Sequence, residues 1–234
     1  IGAGKRLASV FAEIYFAIIV GKTTKEVDIM VKRLLDKYEL SSTAYGYHGF
    51  TGYSCISLND VVVHGVPAQN LIIGDEDLVK VDICARHKGY CADMARPYFA
   101  KNNPNQIIHK LVECGWQALE RGFSKVKDKV PIGTMAYEIE SEIVENGFSV
   151  VTQFTGHGIG KSMHEEPAVP NWGEVGKGQM MFEGMALAVE PMFCEKRADL
   201  VISSADKWSA RTKDGGLACH IEDTIIVGRE SVFI

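Results

Sequence analysis

The hydrophobic pattern of this chain passes twice through one order, two amphipathic helices followed by β-type runs, and that order limits the folds open to it. Residues 5 to 20 place Leu7, Val10, Phe11, Ile14 and Ile18 at helical spacing, with Gly21 as the expected stop. Thr23 and Glu26 then have the spacing of a capping box, ahead of an apolar face of Val27, Met30, Val31, Leu34 and Leu35. After Ser41 the texture turns aromatic, glycine-rich and β-branched. "DLVKVDICA" and "YCADMARPYFA" read as two strands joined by a turn over residues 86–89. A helix is expected from Asn103 to about Val126, with Ile108, Leu111, Val112 and Leu119 as its stripe. The pattern then restarts: Glu138, Ile139 and Ile143 stand 112 positions after Glu26, Val27 and Val31. "EGMALAVEPMF" echoes "DEDLVKVDICA", with an acid at the same point of an apolar run. The fold class is therefore α/β (α+β): two pseudo-symmetric halves, about 1–125 and 126–234, each with paired helices packed on antiparallel sheet. A single domain over residues 1–234 is expected, with any site between the halves.

Composition removes several classes of function. Thirty acidic against 25 basic residues give a net charge of −5, which argues against direct nucleic-acid recognition. The apolar stretch from Val10 to Val20 is broken by Glu13 and is shorter than the roughly 20 residues a bilayer span needs. Six cysteines without dense spacing fit a reducing compartment better than a secreted scaffold. Gly4-Lys5-Arg6 leads into an amphipathic run and not into a signal peptide. A cytoplasmic protein is the expectation. The chain opens on Ile1, so residues are expected to be missing at its front.

The chemistry is signalled by acids in apolar surroundings. Asp82 and Asp93 each lie inside one of the two hairpin strands. A turn symmetric about residues 86–89 would set them directly opposite one another, and Cys84 opposite Cys91. Facing carboxylates repel unless one is protonated or a cation sits between them. The cysteines are open to metal, to a disulfide or to reduced apolar packing, the last being favoured. Glu190 and Glu222 sit in two further apolar runs, and "TGHGIGKSMHEEP" adds His157 and His164 on a glycine-rich segment. Glycines flanking His157 allow close backbone approach and suit support of a site. Four such carboxylates with an imidazole can hold two divalent ions, and paired ions suit hydrolysis. The chain has no CxxC pair, no Walker A loop and no GxSxG elbow.

In combination, "VVVHGVP", "VDICARHKGYCAD", "GHGIGKSMHEEP", "AVEPM" and "IEDTIIV" resemble the type I methionine aminopeptidases over nearly the whole chain. The resemblance implies the pita-bread fold with two metal ions (Co²⁺, Mn²⁺, Fe²⁺ or Zn²⁺) between the halves. It implies removal of N-terminal methionine when the second residue is small, by attack of a metal-bridging water or hydroxide. Asp82 is expected to chelate one ion, Asp93 and Glu222 to bridge both, and His164 and Glu190 to complete the other. Glu190 is also expected to shuttle the proton, and His64 to hydrogen-bond substrate at the scissile amide. Tyr47, His48, Phe50, Cys55 and Trp208 are expected to line the methionine pocket. Nascent polypeptide N-termini are the implied substrates, the ribosome a candidate partner, and the protein a monomer.

Four positions depart from the resembling pattern. Asn171 stands where a second histidine, contacting substrate, follows the metal-binding one by seven residues. Cys84 replaces a threonine, His220 a glutamine, and Asp223 a histidine. Asn171 keeps two alternatives open: a weakly active relative, or a non-enzymatic peptide-binding module. An Xaa-Pro peptidase of the same fold is the other alternative.

Overall fold

The computed structural model describes residues 1–17, 19–100, 105–229, 232 and 233. Four helices, α1 (Gly2–Phe16), α2 (Thr24–Lys37), α3 (Gln106–Phe123) and α4 (Ile132–Glu145), are described. The first half of the chain carries strands β1 (Ser41–Ser42), β2 (Cys55–Leu58), β3 (Val61–Val63), β4 (Val79–His87) and β5 (Tyr90–Tyr98). The second half begins with β6 (Ser149–Val150), β7 (Gly156–Gly158), β8 (Glu165–Val169), β9 (Ala186–Val189) and β10 (Met192–Cys194). It ends with β11 (Leu200–Ile202), β12 (Ala210–Thr212), β13 (Ala218–His220), β14 (Glu222–Ile226) and β15 (Val232–Phe233).

The main sheet runs β1-β4-β5-β14-β9-β7-β8, with β2 pairing β4 and β15 pairing β14. Every pairing in it is antiparallel. The two hairpin strands of the first half are thus joined to the second half along the β5–β14 seam, where Glu222 stands opposite Ala95. The helix pairs cover one face of this sheet, each over its own half. Leu7, Val10 and Ile14 of α1 and Val27, Val31 and Leu35 of α2 pack with Val81, Ile83 and Met94. Ile108, Leu111 and Leu119 of α3 and Met135, Ile139 and Ile143 of α4 pack with Leu187, Val189 and Ile225. This is the pita-bread arrangement.

The capping box of α2 is present, with the Thr23 and Glu26 side chains each bonded to the other's backbone. The first helix is shorter than its periodicity predicts. It stops at Phe16, Ala17 turns to extended backbone (ψ 139°), and Ile19 enters the core from a non-helical segment. Gly21 is therefore not its stop, and Ile18 lies outside the described residues. Asn103 also lies outside them. Asn105 caps α3, which ends at Phe123, one turn before Val126.

The turn between β4 and β5 overturns the expected register. It is a two-residue turn, Lys88-Gly89, with both residues at positive φ (48° and 85°), and His87 pairs with Tyr90. Asp82 therefore stands opposite Ala95, and Asp93 opposite Cys84, instead of opposite each other. The two aspartates are diagonal neighbours on one face of the hairpin. Cys91 likewise pairs with Arg86 and not with Cys84.

Candidate metal and peptide site

Side-chain alternation carries the aspartates of β4 and β5 to the face that also receives Glu222 from β14. Asp93 is pinned from both backbone groups by one hydroxyl: its N–H donates to Thr224 Oγ1 (2.9 Å), and Thr224 Oγ1 donates to its carbonyl (2.8 Å). Asp82 faces Cys55 of β2 across the β2–β4 pair. Next along β14, Asp223 turns to the other face and pairs with Arg96, which also donates to the Glu222 carbonyl. The aspartate at this departure from the family pattern thus serves the seam and does not line the cavity.

Glu190 follows directly on β9, and its carbonyl accepts a hydrogen bond from Asn171 Nδ2 (3.0 Å). His157 occupies the centre of β7 between two glycines that have no room for a side chain. A Cβ on Gly156 would lie 2.2 Å from the Ala188 carbonyl oxygen, and one on Gly158 would lie 2.2 Å from that of Glu166. This crowding lets β7 run close enough to its neighbours to hold the imidazole inside. The His157 Nδ1 lies 2.9 Å from the Gly158 carbonyl oxygen, a partner that requires the proton on Nδ1. Nε2 lies on the opposite side of the ring, 3.6 Å from Glu190 Oε1.

These groups line one cavity of about 460 Å³, together with Tyr47, Phe50, Cys55, His64, His164 and Trp208. Two of the residues expected in the site are absent from its walls. His48 is exposed and packs edge-on against Tyr47, on backbone at φ 45°. Asn171 is fully buried behind the Glu190 backbone. One wall of the cavity is apolar and aromatic, with Phe50 edge-on to Trp208 (centroids 5.2 Å apart) and His64 edge-on to Phe154 (5.4 Å).

The histidines cluster differently from the expected ligand set. Asp93, His157 and Glu222 bring donor atoms within 4.8 Å of one another, as do Glu190, His220 and Glu222, and His164 belongs to neither group. His164 instead sits at the cavity mouth, exposed, with Nδ1 3.3 Å from the Tyr47 hydroxyl and its ring edge-on to His157 (4.4 Å). The physical reason lies in the chain path. His157 is held on the central sheet, whereas His164 follows a loop and precedes β8 at the sheet margin. With His157 beside the carboxylates, His164 is itself the histidine seven residues further on. Asn171, expected among the substrate-contacting residues, holds backbone through its bond to the Glu190 carbonyl.

Burial is the main electrostatic force here. It raises the Asp82, Glu190 and Glu222 carboxyls well above the usual carboxylate range, and the negative Asp93 beside them adds to the effect. Asp93 is also raised by burial, with His157 opposing the rise. Burial lowers His64 to about 4, so its imidazole is neutral at pH 7; His164, exposed at its edge, is lowered by the desolvation of its inward face and by His157 beside it. Among the described residues, Glu222 Oε1 and His220 Nε2 are buried without a hydrogen-bond partner, as is Asn171 Oδ1 behind the Glu190 backbone. Carboxylates packed this closely, with orphaned oxygen and nitrogen atoms between them, have the chemistry of a divalent-cation site.

Fold and site together define a metallopeptidase. The model of metallopeptidase family M24 matches residues 2–229, and the chain belongs to that family. It is 33% identical to methionine aminopeptidase 1 of Bacillus subtilis, over 96% of this chain and 90% of that one. Against a methionine aminopeptidase of Clostridium acetobutylicum the identity is 32%, over 96% and 89% of the two chains. The crystal structure of a methionine aminopeptidase from Thermotoga maritima superposes with a TM-score of 0.95 at 31% identity, covering 99% of this chain and 93% of that one. An X-Pro aminopeptidase from the same organism shares the fold, with a TM-score of 0.74 at 19% identity, and this chain covers 58% of it. None of the described helices is long and apolar enough to cross a membrane.

Proposed function

We propose that this protein is a metal-dependent aminopeptidase that removes N-terminal methionine from polypeptides whose second residue is small. The observation that carries the reading is a single cavity joining the carboxylate–imidazole cluster to a wall of Phe50, Cys55 and Trp208. A thioether side chain suits such aromatic and sulfur-bearing surfaces. The limit on the second residue rests on the likeness to methionine aminopeptidases. On this reading the substrates are nascent-chain N-termini, met in the cytoplasm near the ribosome by a monomer.

Asp82, Asp93, His157, Glu190 and Glu222 would hold two divalent ions. Such ions supply Lewis acidity at the scissile carbonyl and a water activated at neutral pH. Neutral His64, held edge-on by Phe154 and Trp208, is positioned to exchange a hydrogen bond with the scissile amide. His164, steadied by the Tyr47 hydroxyl, offers a second neutral imidazole at the cavity mouth. Glu190 would take up a proton from the attacking water and return it to the leaving amine.

We also read the chain as one catalytic domain of two similar halves. Val27, Val31 and Leu35 of α2 and Met135, Ile139 and Ile143 of α4 are all buried and stand 108 positions apart, as do Asp82 and Glu190. This spacing is one helical turn shorter than the 112 read from sequence.

Release of methionine from Met-Ala-Ser, compared with cleavage of Ala-Pro substrates, tests the function. Methionine release restored by a divalent cation after chelation is the expected result. Cleavage of the Xaa-Pro bond alone overturns the reading.

A further inference from the structure

We infer that His220 is a direct ligand of a divalent cation, so that this site holds its two ions with two imidazoles, one in each of two donor groups. The inference rests on the functional reading above and deepens it. His220 ends β13, opposite Met192 of β10, and is 1% exposed. One residue separates it from Glu222, so the two side chains leave the extended chain on the same side. Its Nε2 lies 3.7 Å from Glu190 Oε2 and 3.9 Å from Glu222 Oε2. Both separations are too long for a hydrogen bond. Among the described residues Nε2 has no hydrogen-bond partner, and Glu222 Oε1, buried beside it, has none either.

Burying an imidazole nitrogen and a carboxylate oxygen unpaired is costly. A shared cation satisfies both, because each offers a lone pair to it and no hydrogen bond between them is needed. Glu222 belongs to both donor groups, with Asp93 and His157 on one side and with Glu190 and His220 on the other. Each group therefore joins carboxylate oxygens to one imidazole. An added nitrogen donor shifts preference toward borderline ions such as Co²⁺ and Zn²⁺ and away from Mn²⁺ and Mg²⁺, which favour all-oxygen sets.

The test uses the whole chain, stripped by a chelator and titrated calorimetrically with Co²⁺ alone and with Mn²⁺ alone. It compares the unaltered protein with His220→Gln, which keeps a polar side chain of similar size. X-ray absorption of the Co²⁺-loaded proteins counts coordinated imidazoles. Two imidazoles per pair of ions are expected, falling to one in His220→Gln. One Co²⁺-binding step should weaken about tenfold or more in that variant, with a smaller loss for Mn²⁺. An unchanged imidazole count with unchanged Co²⁺ binding in His220→Gln overturns the inference and leaves the functional reading intact. Failure of the unaltered protein to bind Co²⁺, Mn²⁺ or Zn²⁺ overturns both. If His220→Gln does not fold, the spectrum of the unaltered protein decides: two imidazoles support the assignment, and one refutes it.

Discussion

The Nε2 atom of His157 lies 3.6 Å from Oε1 of Glu190, reaching from β7 to the end of β9. His164, seven residues on, makes no contact of this kind and bonds Tyr47 at the cavity mouth. The two histidines should therefore fail differently. His157→Ala is expected to lose divalent-ion affinity by about 10-fold to 100-fold or more, read as metal content after dialysis. His164→Ala should keep its metal and lose kcat/KM. Equal metal loss in the two variants would return His164 to the ligand set.

Asn171 is a structural residue on this geometry, because its amide holds the Glu190 carbonyl at 3.0 Å and is fully buried. Asn171→Ala should cost about 1–3 kcal/mol of stability by leaving that carbonyl unpaired. Asn171→His should not raise turnover. Denaturant titration and steady-state kinetics check the two statements, and a gain in kcat with histidine would refute the second.

Removing the cations should destabilise the fold. Ions that bind only the folded state contribute about 2.7 kcal/mol when present at about 100 times Kd. For a chain of this length that corresponds to a fall in Tm of roughly 5–10 °C on chelation. Asp93→Ala should show a much smaller shift between chelated and loaded states, and little methionine release. Differential scanning with and without chelator measures this; an unchanged Tm in the unaltered protein would argue that no resident ion supports the fold.

His64 gives a pH dependence with a definite sign. Burial holds its folded pKa at about 4, below the ordinary 6.5. At pH 7 the ring is neutral in both states and contributes nothing. As pH falls from 6.5 to 4 the unfolded chain takes up a proton that the folded state refuses, so stability falls, by about 3 kcal/mol for the full interval. His64→Asn removes this loss and tolerates the positive φ of 59° at that position. Urea titrations at about pH 7 and pH 4.5 should show a smaller difference in the variant than in the unaltered protein. An identical difference would show that His64 is not the group responsible.

Much of the architecture was legible because periodicity reports burial directly. Val27, Val31 and Leu35 fall on one face of α2, and Asp82, Asp93, Glu190 and Glu222 interrupt runs that have to be buried. What the sequence hid depends on backbone placement. Lys88 adopts φ 48°, a conformation that its side chain does not advertise, and together with Gly89 it closes the turn in two residues instead of four. The aspartates consequently move from facing positions to diagonal ones. Likewise, His157 and His164 share a glycine-rich segment, and only the path of β7 into the central sheet separates their roles. The flanking glycines were the available signal, since Gly156 and Gly158 are needed where backbones press closest.

β14 lies in the middle of the main sheet, between β5 and β9, and carries Glu222. Asp82 and Asp93 reach it from β4 and β5 on one side, and Glu190 reaches it from the end of β9 on the other. The candidate donors therefore come together only where the two halves of the sheet are zipped along this one strand. Opening the β5–β14 seam would disband the cluster without breaking a single bond inside either half.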